Sequence, residues 1–363
     1  MSEWKEYKIK NITSRITSGG TPKSSEASYY DGTIPWLNTK EINFNRITKT
    51  ERYITEEGLN NSSAKWIPKG SVIIAMYGAT AAKVAYSLID LTTNQACCNL
   101  IIDEDKANSQ FVYYYIQSSY EELLNLACGA AQQNLSVGVI RDFPIYLPPL
   151  DEQKRIASIL SSLDDKIDLL NRENATLEAM AETLFRQWFI EEAKENWEEG
   201  KLGDLIEVKY GKDHKKLQDG NIPVFGSGGI MRYADTALYD KESVLIPRKG
   251  SLNNVMYINE PFWTVDTMFY TEMRRPNIAK FIYHIMKGQD LANMNVGSAV
   301  PSMTTEVLNN IPLDIPSQDV FDKFEDSVVP LYNKKEQNNK QIKTLIHTRD
   351  GLIPKLMSDE VKM

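Results

Sequence analysis

Gln132, Gln133 and Asn134 stand together in the chain, Lys23 follows the turn Gly19-Gly20-Thr21-Pro22, and Arg248-Lys249 precede Gly250. The side-chain amides of Asn and Gln can form two hydrogen bonds with adenine N6 and N7, while Lys or Arg can reach guanine O6 and N7 or a phosphate. These residue types therefore suit an edge that reads bases. They also cap turns beside glycine, so each residue taken alone keeps both readings.

Patterns that would carry catalysis fail on their own chemistry. The Pro-Pro of Leu147-Pro148-Pro149-Leu150 lacks the Asn or Asp and the aromatic that would hold an amino group beside a methyl donor. In Phe225-Gly226-Ser227-Gly228-Gly229, Ser227 and the following Met231 stand where a glycine-rich cofactor loop needs glycine. Asp90 with Glu104-Asp105-Lys106 imitates a metal-dependent nuclease arrangement, but acidic residues in a strand-ending turn read as solvated surface. His214, His284 and His347 form no i,i+4 pair and have no nucleophile nearby, which makes them surface or satisfied core histidines. Cys97, Cys98 and Cys128 cannot all pair and lack zinc-ligand spacing; they are expected reduced and buried. No catalytic and no metal-binding residue is assigned.

The candidate residues must be held by a repeated framework. Ile156, Leu160, Leu163, Ile167, Leu170, Asn174, Leu177, Ala181, Leu184 and Trp188 alternate in steps of four and three, the seam of a helix that supercoils around a partner. A shift of 168 residues lays Phe324, Val328, Leu331, Ile342, Leu345, Leu352 and Leu356 on the same seam, with Lys335, Asn338 and Arg349 interrupting it. The same shift superposes Gly129-Ala130-Ala131 on Gly297-Ser298-Ala299 and Phe143-Pro144 on Ile311-Pro312. Asn174 reads as a register-fixing polar contact or as a poorly packed position, and register is the preferred reading. Trp188 and the stretch Phe185-Arg186-Gln187 read as core near a domain junction or as a partner surface.

Ahead of each seam lies a segment of short apolar runs, such as Ser71 to Met76 and Asn99 to Ile102, with Ser243 to Ile246 answering the first. Between turn clusters these read as strands of a mixed α/β unit, and Phe111 to Asn125 reads as helix. Pro148-Pro149 should end the last strand, and Asp151-Glu152 suits a helix start. A helix from about 151 to 190 would extend roughly 60 Å, more than a globular helix needs. The second should start near 319, with Gly351 and Pro354 kinking or ending it. Both seams are too apolar to lie bare, and the simplest burial is against each other. The expected fold is therefore α/β: two mixed α/β domains, 1–150 and 195–318, separated by a long antiparallel two-helix coiled coil, 151–194 and 319–363.

Composition is ordinary for a soluble chain: 42% hydrophobic, 25% charged, net charge −8. Acidity argues against a free-standing DNA binder. Its distribution softens that argument, because residues 1–150 carry 14 Lys+Arg against 15 Asp+Glu while 151–196 carry 6 against 11. No apolar stretch approaches the roughly 20 residues of a membrane span, and the polar start Met1-Ser2-Glu3-Trp4-Lys5 lacks a signal-peptide core. The chain is expected in the cytoplasm, with no membrane partner.

Leu147-Pro148-Pro149-Leu150-Asp151-Glu152-Gln153, followed by the heptad helix, closely resembles the central region of specificity subunits of type I restriction-modification systems. Gly19-Gly20-Thr21-Pro22, Ile34-Pro35-Trp36, Tyr77-Gly78-Ala79-Thr80, Asn94-Gln95-Ala96 and Gln132-Gln133-Asn134-Leu135 resemble landmarks of that family's target-recognition domains. Gly226-Ser227-Gly228-Gly229, Arg248-Lys249-Gly250 and Pro261-Phe262-Trp263 take their part in the second half, where Pro316-Ser317-Gln318-Asp319 departs from the fuller pattern. The resemblance implies that each domain reads one half of a split site in double-stranded DNA, while the helices act as a ruler and dock two methyltransferase subunits. Those partners would carry S-adenosylmethionine and methylate adenine N6, and restriction subunits using ATP and Mg2+ would translocate and cut. This chain would be non-catalytic and bind no cofactor. Thr21, Lys23, Asn38, Lys40, Tyr77, Thr80, Lys83, Gln132, Gln133 and Asn134 are the candidate DNA contacts of the first domain. Lys212, Ser227, Arg248, Lys249, Ser298 and Ser302 are those of the second. The alternative reading is a helical-rod scaffold whose globular ends bind proteins or glycans.

Overall fold

A computed structural model describes residues 4–127, 134–193, 197–294 and 302–358. It divides into two units, residues 1–170 with 340–363, and residues 171–339. In the first unit the wholly buried run Val72–Ala75 forms the middle of a five-stranded sheet, because an apolar segment of that length is stable only when covered on both faces. The strand order is Thr13–Ser18, Cys97–Ile102, Val72–Ala75, Val84–Ser87 and Asn45–Ile47. A smaller sheet sets Tyr30–Leu37 between Arg52–Ile54 and the parallel Thr92–Thr93. Lys5–Lys8 pairs with Pro144–Leu147, the strand that leads directly into the first long helix.

The second unit repeats this plan. Ile206–Tyr210, Met268–Met273, Ser243–Pro247 and Met256–Ile258 form its larger sheet, and Gly229–Ala234, Ile222–Gly226 and the parallel Trp263–Thr264 its smaller one. Glu198–Lys201 pairs with Pro312–Ile315, again just before a long helix. One helix packs on each large sheet. Ala279–Lys287 does so in the second unit, and in the first the stretch expected as one helix is two, Ser109–Ser118 and Tyr120–Asn125, broken at Ser119.

The long helices are Leu150–Arg186, with a wider turn at Gln187–Glu191, and Gln318–Leu356. The second does not stop at Gly351 or Pro354. A proline inside a helix costs about 3 kcal/mol, but Ile353, Leu356 and Met357 are buried in the first unit's core with Ile156 and Leu160, and each such side chain returns roughly 1.5–3 kcal/mol. Within the second unit Ala181 and Phe185 share a core with Phe321, Phe324 and Val328. Of the remaining seam positions, Ile167 and Leu170 are buried, whereas Leu163, Leu177, Leu184, Leu331, Ile342, Leu345 and Leu352 are half-buried.

The polar residues that interrupt the second seam all meet partners on the first helix. In the second unit, Asn338, 1% exposed, donates to Asn174 Oδ1 at 3.0 Å, and Asn174 donates to Asn339 Oδ1 at 2.9 Å. Lys335 Nζ lies 3.0 Å from Glu178 Oε2. In the first unit, Arg349 Nη1 lies 2.7 Å from Asp164 Oδ1. In the second unit partner numbers fall along one helix as they rise along the other, so the helices run antiparallel there.

Glu178 also receives Lys287 at 2.5 Å. Burial penalises its charged form, but hydrogen bonds and charge from Lys287 and Lys335 outweigh that penalty and bring its pKa from 4.5 to about 2. A carboxylate depressed on folding stabilises fully above its unfolded pKa and loses that contribution as pH falls through the folded one. Glu178→Gln is therefore expected to cost about 1–2 kcal/mol at pH 7, after allowance for solvent screening. Urea unfolding of both proteins should show the gap closing as pH falls from 4.5 towards 2. An unchanged gap would refute the assignment.

Cys97 and Cys98 are free and buried, and burial pushes their thiols up, Cys98 to about 12; Cys128 lies outside the described residues. His284 is a core histidine within hydrogen-bond distance of the Tyr332 hydroxyl, 3.0 Å away, and burial lowers its pKa to about 4. His347 is exposed and His214 half-buried. Among the described residues, no helix is long and apolar enough to cross a membrane.

Candidate nucleic-acid interface

In the first unit the candidate residues converge because strand ends are stitched together by backbone hydrogen bonds. Gly20 N–H donates to Thr93 O, Asn94 N–H to Leu37 O, Met76 N–H to Ala96 O and Ala75 N–H to Lys83 O, all at 2.8–3.0 Å. Leu135 N–H donates to Met76 O at 2.8 Å, and Tyr77 bridges to Asn134. The result places Thr21, Asn38, Tyr77, Thr80, Lys83 and Asn134 around one end of the two sheets. Gly19 is required there, since a Cβ would lie 2.0 Å from Thr93 O. The Trp36 indole ties the turn down by donating to Gly20 O at 2.9 Å.

The side chains at this edge differ in how free they are. Thr21, Tyr77 and Asn134 are exposed, and Asn38, Thr80 and Lys83 half-buried. Lys83 Nζ donates to Asn43 Oδ1 at 2.7 Å and lies 6.0 Å from the Phe44 ring centre. Asn38 caps the short helix Thr39–Glu41, its Oδ1 accepting from Lys40 N–H at 3.3 Å. Lys40 is ion-paired with Glu51 at 2.5 Å, and that hydrogen bond and charge raise its pKa; Lys23 is paired with Glu26 at 3.1 Å. Gln132 and Gln133 lie outside the described residues.

The second unit is stitched in the same way. Val265 N–H donates to Phe225 O, Arg248 N–H to Thr267 O and Met303 N–H to Arg248 O, while Lys249 bridges to Ser302. Lys212 N–H donates to Thr264 O at 2.8 Å, and the Trp263 indole donates to Lys212 O at 2.9 Å. Gly211 repeats the role of Gly19, with a Cβ placed 2.0 Å from Val265 O. Lys212, Ser227, Arg248, Lys249 and Ser302 are thus brought together, and Ser298 lies outside the described residues. Matching bonds make Arg248 the equivalent of buried Met76, and Lys249 the equivalent of Tyr77. Gly78 and Gly250, with φ of +74° and +84°, turn the chain at the same point. The Arg248 guanidinium is half-buried over the Tyr210 ring, 5.3 Å from its centre, and donates to Asp266 O at 3.2 Å.

Three exposed side chains at these edges were not in the candidate set. Gln95 accepts a hydrogen bond from the Thr21 hydroxyl, Asp266 occupies the matching turn of the second unit, and Tyr210 supports Arg248. Asn94-Gln95-Ala96 was visible as a turn, but only the fold places Gln95 beside Thr21. Among the described residues, no grouping of three or more His, Cys, Asp or Glu could hold a metal ion.

Three comparisons bear on this arrangement. The family model described as the type I restriction modification DNA specificity domain matches residues 1–179 and 194–346. The chain is 27% identical to the type I restriction enzyme MjaIX specificity subunit of Methanocaldococcus jannaschii, over 99% of this chain and 94% of that protein. It is 24% identical to a putative type I specificity subunit of Mycoplasma pneumoniae, over 79% and 82% of the two chains. Among solved structures, the type I restriction-modification S subunit from M. genitalium shares the fold, with TM-score 0.63 and 20% identity over 99% of this chain and 97% of that one.

Proposed function

The chain belongs to the type I restriction-modification DNA specificity family, and from that premise we propose that it reads a split, asymmetric DNA site, each unit reading one half. It is a sequence-recognition subunit, not the catalyst. One observation carries the split reading: both units gather cations and other polar side chains at the same end of the same strand plan, with unlike residues at equivalent positions, Met76 against Arg248 and Tyr77 against Lys249. Two unlike readers do not specify a palindrome.

On this reading residues 1–150 and 195–318 are the target-recognition domains, and the helices within 151–194 and 319–363 dock two methyltransferase subunits. Restriction subunits complete the complex in the cytoplasm. S-adenosylmethionine, ATP and Mg2+ belong to those partners, which methylate adenine N6 and cut. The contribution of this chain is position, through base contacts that specify and cations that hold the backbone.

The test is to map N6-methyladenine in the DNA of cells carrying the methyltransferase partner, with and without this chain. A bipartite, asymmetric motif that depends on the chain is the expected result. A continuous or symmetric motif, or methylation indifferent to the chain, would overturn the proposal.

A further inference from the structure

The smaller sheets of the two units differ where each meets the candidate interface. In the first unit, Tyr30–Leu37 continues into a connection, residues 38–51, before its neighbour Arg52–Ile54. In the second, the corresponding strand Ile222–Gly226 turns back at once through Ser227-Gly228 into Gly229–Ala234. Both strands pair in parallel with the same kind of short strand, Thr92–Thr93 or Trp263–Thr264. Readers of unlike half-sites must differ somewhere, and this is where the frameworks diverge.

The hairpin is irregular at a telling position. Val224 faces Arg232 and Phe225 faces Ile230, which leaves Met231 as an extra, bulged residue. A bulge bends the strand and re-aims a side chain. Met231 is 59% exposed and Ile230 47%. The Met231 thioether lies over the bare Gly226, where a Cβ would come within 2.5 Å of Sδ. The turn of the hairpin abuts the basic edge: Asn254 Nδ2 donates to Ser227 O at 2.8 Å, and a Cβ on Gly250 would lie 2.8 Å from Ser227 Oγ. Arg248 and Lys249 immediately precede that glycine.

We propose that this hairpin enters the DNA major groove and that Met231, flanked by Ile230, recognises a thymine through its 5-methyl group. The assignment rests on the DNA-reading role proposed above. A two-stranded ribbon fits a groove about 12 Å wide, in which the thymine methyl is the apolar feature among donors and acceptors. An exposed thioether gains nothing from phosphate, but it packs adaptably against apolar groups. Arg248 and Lys249 hold the flanking backbone while the hairpin reads the base.

The experiment uses the complex of the full chain with its methyltransferase partner. Once the wild-type motif is mapped, duplexes carrying uracil in place of each thymine in turn are compared as methylation substrates for wild type, Met231→Ala and Gly226→Ala. One uracil position in one half-site should slow wild type about fourfold, the worth of one buried methyl, and leave Met231→Ala indifferent between thymine and uracil. Gly226→Ala, which keeps the methionine but displaces its sulfur, should lie between them. Equal uracil effects in wild type and Met231→Ala at every position would overturn the assignment. So would a Met231→Ala protein that loses affinity for the methyltransferase subunit while keeping its thymine preference, which would make the residue a protein contact. A wild-type complex that defines no split motif would overturn the DNA-reading role itself and this assignment with it.

Discussion

Lys280→Ala is expected to lower the unfolding free energy of the second unit by about 3–5 kcal/mol at neutral pH, the cost of removing one partner from a buried ionic cluster. The Lys280 side chain is 4% exposed, with Nζ 2.5 Å from Glu325 Oε1 and 2.9 Å from Glu242 Oε1. The rings of Tyr257 and Tyr332 lie 5.1 and 5.5 Å from it and add cation–π attraction. Its two carboxylates respond differently to the same ammonium. Burial raises Glu325 in spite of Lys280, because its side chain is 11% exposed; at Glu242, 40% exposed, burial also works upward but hydrogen bonds from Tyr257 and Lys280 outweigh it and lower the pKa. With the ammonium gone, both carboxylates are left facing one another, and protonating Glu325 is the cheapest relief. The deficit should therefore narrow as pH falls. Denaturant unfolding of both proteins at pH 7 and pH 5 measures it, and a loss below about 1 kcal/mol, or one independent of pH, would contradict the buried-cluster account.

Arg349→Ala should produce a loss of similar size in the first unit, again about 3–5 kcal/mol. Asp164 is 5% exposed on its side chain and, among the described residues, would retain as a donor only the Tyr114 hydroxyl, 2.5 Å from Oδ2, with the Arg46 charge acting on it without a hydrogen bond. An isolated buried carboxylate is costly, whereas a neutral pair of similar shape is not. The double variant Arg349→Met with Asp164→Asn keeps an acceptor for Tyr114 and should recover to within about 1–2 kcal/mol of wild type. If the double variant is no more stable than Arg349→Ala, the loss does not come from the orphaned charge.

Strands and helices were legible where burial follows a local period. Val72–Ala75 and Ser243–Pro247 are buried throughout because both faces of each are covered, and the four-three seam of the first long helix follows from which side of it is buried. The break at Ser119 was not legible, since the apolar pattern continues across it. Nor was the passage of the second long helix through Gly351 and Pro354, because the compensation comes from a core whose other residues lie some two hundred positions away. Thr21 and Arg248 could be proposed from residue chemistry, but Gln95, Asp266 and Tyr210 acquired a place only when backbone hydrogen bonds brought their turns together.

The duplication, the two long helices, the strands ahead of them and the family are legible along the chain. All of these reside in local periodicity and in ordered short motifs. What the polar residues of the second seam do is set by the folded arrangement of the two helices. Lys335, Asn338 and Arg349 look like decay when that helix is compared with the first as a copy, yet each meets a partner there, Glu178, Asn174 or Asp164. A heptad pattern specifies which face of a helix is buried. It carries no information about which residue of an antiparallel partner lies opposite, and that register decides whether a buried charge or amide is a defect or a satisfied contact.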